Sequence, residues 1–178
     1  MYIWIGCKLP QAFEQELRGR CAPLGESLRL DMVGFTLPQH ISLKISFEAE
    51  ERYETILDFV EQLLKKEEKF YVNLLGLERM GNILWLSFRE NETLRRLHDA
   101  LDRELETRFA ICQHPFDRDF AFHSTLFFGE EEKLSRAMDA LSDYPLPSQL
   151  PIETFLLGVS KSGKAGTYRV VRQVDVLK

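Results

Sequence analysis

The sequence predicts an α+β fold built from two similar units within one domain spanning residues 1–178. Three observations carry this expectation. Segments rich in β-branched and aromatic residues alternate with four stretches whose apolar residues recur at helical spacing. The order strand, helix, histidine-bearing strand, helix occurs twice, the second time with a hairpin leading in, which implies an internal pseudo-twofold. No linker or low-complexity run divides the chain, and 178 residues suffice for one sizeable core or two small intertwined lobes.

The elements follow in order. Met1 to Leu9 read as a strand through Tyr2, Ile3, Trp4 and Ile5. Pro10 suits the first turn of a helix whose stripe is Phe13, Leu17 and Cys21, expected to run to about Arg20 and to turn at Pro23 to Gly25. "SLRLDMVGFTLPQHISLKISF" then reads as two strands or one long extended excursion, with Pro38 near a strand start. Glu50 to Lys66 carries a helical stripe of Tyr53, Ile56, Leu57, Val60, Leu63 and Leu64, acidic at its start and ending in two lysines as the helix dipole prefers. "KFYVNLLGLERMGNILWLSF" is a hairpin turning near Met80 to Asn82. A helix over Glu92 to Phe109 has Leu94, Leu97, Leu101 and Leu105 on one face and Asn91 as its cap. Another runs from about Glu131 to Ser142. The proline-rich "YPLPSQLP" is a connection, and two strands, "IETFLLGVS" and "TYRVVRQVDVL", close the chain through "KSGKAG".

Composition narrows the function. The 44 % hydrophobic and 29 % charged content is that of an ordinary globular protein. No stretch approaches the ~18 consecutive apolar residues of a membrane span. "MYIWIGCKLP" lacks a basic leader and reaches Lys8 and Pro10 too soon for a secretory signal, so a cytoplasmic protein without a membrane partner is expected. Cys7, Cys21 and Cys112 are odd in number and widely spaced, which excludes a complete internal disulfide framework and offers no zinc-knuckle pairing. The net charge of −5 opposes broad binding along a nucleic-acid backbone, which needs many cations to displace counterions. It does not oppose gripping one phosphate at a strand end.

The informative segments are "LPQHISLKISF", Leu37 to Phe47, and "FAFHSTLFFG", Phe120 to Gly129, whose histidines lie 83 residues apart. In an extended chain, residues two apart share a face. His40 therefore sits with Ser42, and His123 with Thr125, while Ile41, Leu43 and Ile45, and likewise Phe120, Phe122, Ser124 and Leu126, point the other way. A histidine titrates near neutral pH, so one imidazole can accept a proton while its twin donates one. The hydroxyls can donate hydrogen bonds to phosphoryl oxygens. That set fits in-line phosphoester cleavage and needs no metal or cofactor. Lys44, two residues beyond Ser42, could add a positive charge to the cleft, although a solvated lysine is the more ordinary expectation.

Together "HISL" and "HSTL" resemble the paired His-x-Ser/Thr-hydrophobic motifs of the two-histidine (2H) phosphoesterase superfamily. The chain is most similar to its bacterial-type branch of 2′-5′ RNA ligases and RNA 2′,3′-cyclic phosphodiesterases. The resemblance runs over almost the whole chain: the opening strand and "LP" before the first helix, "NILWLSF" ahead of the third helix, and "FDRDFAF" before the second motif. It implies two pseudo-symmetric lobes of antiparallel sheet, helices outside, and an active cleft between the lobes. By motif position it implies that His40 and His123 are the catalytic acid/base pair and that Ser42 and Thr125 bind the phosphate. The implied substrate is a 2′,3′-cyclic phosphate or 2′-5′ phosphodiester of an RNA 3′ end or a cyclic nucleotide. The alternative is a non-catalytic nucleotide or RNA-end binding module using the same cleft.

Other motifs rank lower. "GVSKSGK", Gly158 to Lys164, has the glycine and lysine skeleton of a phosphate-binding loop, but Ala165 replaces the hydroxyl residue and a strand follows instead of a helix, so a hairpin turn is expected. His98 and His114 have no partner at metal-ligand spacing. If a base stacks in the cleft, Trp85, Phe127 and Tyr168 are possible platforms, Phe127 foremost by strand parity, each more ordinarily a packing residue.

Overall fold

The computed structural model describes residues 1–177. Its elements are β1 (Tyr2–Lys8), α1 (Gln11–Leu28), β2 (His40–Glu48), α2 (Tyr53–Leu64), β3 (Phe70–Met80), β4 (Ile83–Arg89), α3 (Glu92–Phe109), β5 (His123–Phe128), α4 (Glu131–Leu141), β6 (Gln149–Ile152), β7 (Thr154–Ser160) and β8 (Arg169–Asp175). The strands form two four-stranded antiparallel sheets, ordered β2-β1-β7-β8 and β5-β4-β3-β6. The two orders correspond strand for strand, so β1 matches β4 and β2 matches β5. This is the expected α+β architecture of two similar lobes.

The lobes are interlocked. β3 to β6 are consecutive in the chain and form the second sheet, whereas β7 and β8 follow the second unit but lie in the first sheet. The helices are exchanged likewise: α3 rests on β2 and touches α2, whereas α4 rests on β3 and β4 and touches α1. Helices α1, α2 and α3 bury the stripes their spacing announced, apart from Tyr53 and Leu63 of α2, which are half-buried. In α3, Leu94, Leu97, Leu101 and Leu105 are buried and Asn91 Oδ1 accepts a hydrogen bond from Leu94 N at 2.8 Å, closing the first turn. Neither lobe can complete a core from one contiguous half of the chain, because the helices and strands that close it are shared across the halves.

Three local expectations are corrected. Helix α1 does not turn at Pro23 but continues through it to Leu28. The carbonyl that Pro23 leaves without its helical donor belongs to Gly19, which is exposed and can be hydrated, while Gly25 and Leu28 gain burial beyond it. The excursion before the first histidine holds one strand, not two: a 3-10 turn at Val33–Phe35 precedes β2. "YPLPSQLP" contributes β6, an edge strand on β3, where Pro151 needs no outward donor. Among the described residues no helix is long and apolar enough to cross a membrane.

Candidate active site

Both histidine strands, β2 and β5, are the edge strands of their sheets, and these edges face one another. Each carries a bulge at the same place in its motif. Adjacent Ile5 and Gly6 pair with Lys44 and Ser42, so Leu43 is the extra residue. Adjacent Leu84 and Trp85 pair with Phe127 and Thr125, so Leu126 is the extra residue. The leucine closing each His-x-hydroxyl-Leu motif is thus the bulged position, where the local twist re-aims the next side chains along the strand. Simple alternation fails past it. Phe127 is fully buried in the core and not on the histidine face, whereas Phe128 and Ile45 line the cleft.

The cleft between the lobes has a volume of about 530 Å³, and His40, Ser42, His123 and Thr125 all line it. The two rings are held alike. His40 Nδ1 lies 2.7 Å from the Pro38 carbonyl, and His123 Nδ1 lies 2.8 Å from the Ala121 carbonyl. A carbonyl can only accept, so Nδ1 carries the hydrogen in both rings and Nε2 is the atom left for chemistry. A tryptophan backs each ring from the neighbouring strand: Trp4 meets His40 edge-on with centroids 4.1 Å apart, and Trp85 stacks on His123 at 4.2 Å. Trp4 lies across two glycines, where a Cβ on Gly6 or Gly158 would come within 2.5 or 2.8 Å of the indole. Trp4 Nε1 donates to Ser42 Oγ at 3.1 Å, which leaves the serine hydrogen free for another acceptor.

Burial is the main influence on both imidazoles. It lowers His40 to about 4 despite the Pro38 hydrogen bond, and a charge on His123 opposes one on His40. His123 is lowered by burial too, but the Ala121 carbonyl and the Glu78 carboxylate work in the other direction. Burial thus disfavours a proton on either ring.

Several residues that sequence reasoning missed hold this arrangement together. Gln39, next to His40, is fully buried: its amide nitrogen donates to the Gly34 carbonyl at 2.7 Å and to the Thr125 carbonyl at 3.3 Å, and its oxygen accepts from Ser124 Oγ at 2.6 Å. Lys44 is not solvated but 1 % exposed. Its ammonium is hydrogen-bonded to Asp117 and stands 2.8 Å from Asp102 Oδ1, close enough for an ion pair though not aimed for a hydrogen bond. His98 completes the cluster, with Nδ1 2.8 Å from the Leu43 carbonyl and Nε2 3.0 Å from the Asp117 carbonyl, so full satisfaction needs a hydrogen on both nitrogens. His98, Asp102 and Asp117 bring potential ligand atoms within 4.8 Å of one another, and the Lys44 ammonium already supplies a cation to both carboxylates. His98 thus has partners, which arrive from β2 and from the turn before β5 and so were invisible to local spacing.

Residues 11–164 match the family model of the 2′-5′ RNA ligase superfamily. The chain belongs to that superfamily of two-histidine phosphoesterases. Solved structures share the superfamily fold over nearly the whole chain. TT0787 of Thermus thermophilus is 20 % identical, with a TM-score of 0.63 over 98 % of this chain and 97 % of its own. Escherichia coli LigT complexed with 3′-AMP is 16 % identical, with a TM-score of 0.63 over 99 % and 98 %. Usb1 of Kluyveromyces marxianus is 12 % identical, with a TM-score of 0.52 over 98 % and 97 %. No curated protein matches the chain in sequence.

Proposed function

We propose that this superfamily member is a metal-independent phosphoesterase that opens 2′,3′-cyclic phosphates or cleaves 2′-5′ phosphodiesters by paired-histidine acid–base catalysis. The observation that carries the reading is the matched pair of imidazoles in one cleft, each with Nδ1 tied to a carbonyl two residues back and a hydroxyl two residues on. That E. coli LigT forms a complex with 3′-AMP supports a nucleotide in the same cleft here.

In hydrolysis, Nε2 of the neutral ring takes a proton from water as its oxygen bonds to phosphorus. Nε2–H of the charged ring gives a proton to the departing ribose oxygen as the P–O bond breaks, and the pair ends with its protons exchanged. The two rings are held alike, so either can begin as the base, and the roles exchange with the direction of reaction. Ser42 and Thr125 donate to the non-bridging oxygens as negative charge gathers there. With a ribose hydroxyl replacing water, the same pair serves ligation.

The test is a chelator-treated assay on 2′,3′-cyclic and 2′-5′ substrates. His40→Ala and His123→Ala should each cost about 100- to 10,000-fold while folding survives. Nucleotide binding by the unaltered protein without any product would establish the binding module instead.

A further inference from the structure

We infer that the substrate of this cleft is a mononucleoside 2′,3′-cyclic phosphate, carrying one negative charge and stacking its base on Phe116, and not the end of an extended RNA strand. The inference rests on the phosphoesterase reading and narrows it.

Charge comes first. Among the described residues that line the cleft, the formally charged side chains are Lys44 and Asp119. Lys44 is already engaged by Asp102 and Asp117, so its ammonium adds no net positive field. The Glu78 carboxylate adds negative charge near His123. One phosphodiester can be met by a protonated imidazole and two hydroxyls. A second and third phosphate would find no lining cation free of carboxylate partners among the described residues, whereas strand binding relies on a groove of cations along the backbone. Lys161 and Lys164 stand on the β7–β8 turn, where Gly163, Ala165 and Gly166 are the residues that reach the cleft.

Shape points the same way. About 530 Å³ is a small-molecule pocket and not a channel. Its remaining wall is mostly apolar, through Leu37, Met80, Phe120 and Phe128, with Thr36 and Ser46 as further hydroxyls. Phe116 lies on the rim and is 73 % exposed, costly for a phenyl ring unless something covers it. The turn that carries it is held in place. The Phe116 backbone N–H donates to His114 Nδ1 at 3.3 Å, Asp117 Oδ2 accepts from His114 N at 2.8 Å, and Asp117 is itself pinned by Lys44 in the buried cluster. A rigid turn presents an aromatic face beside the phosphate site, and such a face suits any base.

The experiment compares adenosine 2′,3′-cyclic phosphate, the same compound with a 5′-phosphate, and a pentanucleotide ending in a 2′,3′-cyclic phosphate, across a salt series. Expected are kcat/KM for the mononucleoside within tenfold of the pentamer or above it, and a log–log salt slope for the pentamer shallower than about −1, one phosphate contact being worth roughly −0.7. Phe116→Ala should raise KM for the mononucleoside about 5- to 150-fold, the equivalent of one stacked base, with the fold intact. A pentamer favoured more than tenfold, a slope of −1 or steeper, or an unchanged KM in the Phe116 variant overturns the inference. If none of the three is turned over, the phosphoesterase reading falls by itself, and the same ranking is read from their dissociation constants. Failure of all three to bind sinks both.

Discussion

Gln39 and Ser124, the immediate neighbours of the two cleft histidines, are hydrogen-bonded to each other across the lobes, Ser124 Oγ donating to Gln39 Oε1 at 2.6 Å. Both are buried, and the Gln39 amide also reaches the Thr125 carbonyl, so β2 is tied to β5 beside the site. The two halves of the proposed catalytic pair are therefore set by one side chain's reach and not only by sheet packing.

Ser124→Ala leaves the Gln39 oxygen buried without its donor, a loss of about 1–3 kcal/mol. A double-mutant cycle with Gln39→Leu should give a coupling of about 0.5–3 kcal/mol in urea midpoints. Additive effects would mean that the bond is not formed in solution.

Lys44→Met removes the cation from two buried carboxylates and should cost about 3–5 kcal/mol, seen as a lower melting temperature. Adding Asp102→Asn and Asp117→Asn to that variant should recover part of the loss, because the uncompensated charges go with the cation. A single variant as stable as the parent would show the cluster to be hydrated and loose.

His40 supplies a pH test. Its folded value of about 4 lies below the ordinary 6.5, so between these values the unfolded chain binds a proton that the folded chain refuses. Stability is therefore full above the upper value and falls as pH drops toward the lower one, by at most about 1.4 kcal/mol per pH unit for one ring. His123 is lowered too and adds in the same direction. His40→Gln should flatten the urea midpoint against pH over this window. Parallel curves for parent and variant would show that the ring is not buried neutral.

Gly34→Ala tests the approach of the turn before β2 to β5. A Cβ there would stand 1.8 Å from the Thr125 carbonyl oxygen, a backbone atom with no way to swing aside. The substitution should cost about 1–3 kcal/mol by overpacking and lower turnover as well, because Thr125 is displaced. Unchanged melting and unchanged activity together would place the turn away from β5.

Much of this was legible in order along the chain. The helical stripes and the Asn91 cap located α3 and α4 to within a residue and α2 to within three, since amphipathic spacing and capping are local signals. The doubled His-x-hydroxyl-Leu pattern singled out His40, Ser42, His123 and Thr125, which line one cleft. What failed was local reasoning past a non-local cause. Alternation predicted Phe127 on the histidine face, but the Leu126 bulge reverses the parity, and a bulge is a property of two strands in register. Lys44 read as a solvated lysine because its partners lie 58 and 73 residues away.

By itself, then, the sequence determined the fold class, the four helices, most strands and the pair of motifs, because periodicity, capping and repetition act over a few residues. Only the tertiary structure decided that the lobes interlock by returning β7 and β8 to the first sheet, that tryptophans back both imidazoles, and that Lys44 is spent on two carboxylates. Those outcomes depend on which distant segments share a sheet edge or a buried volume, and no local pattern encodes how far apart such partners stand along the chain.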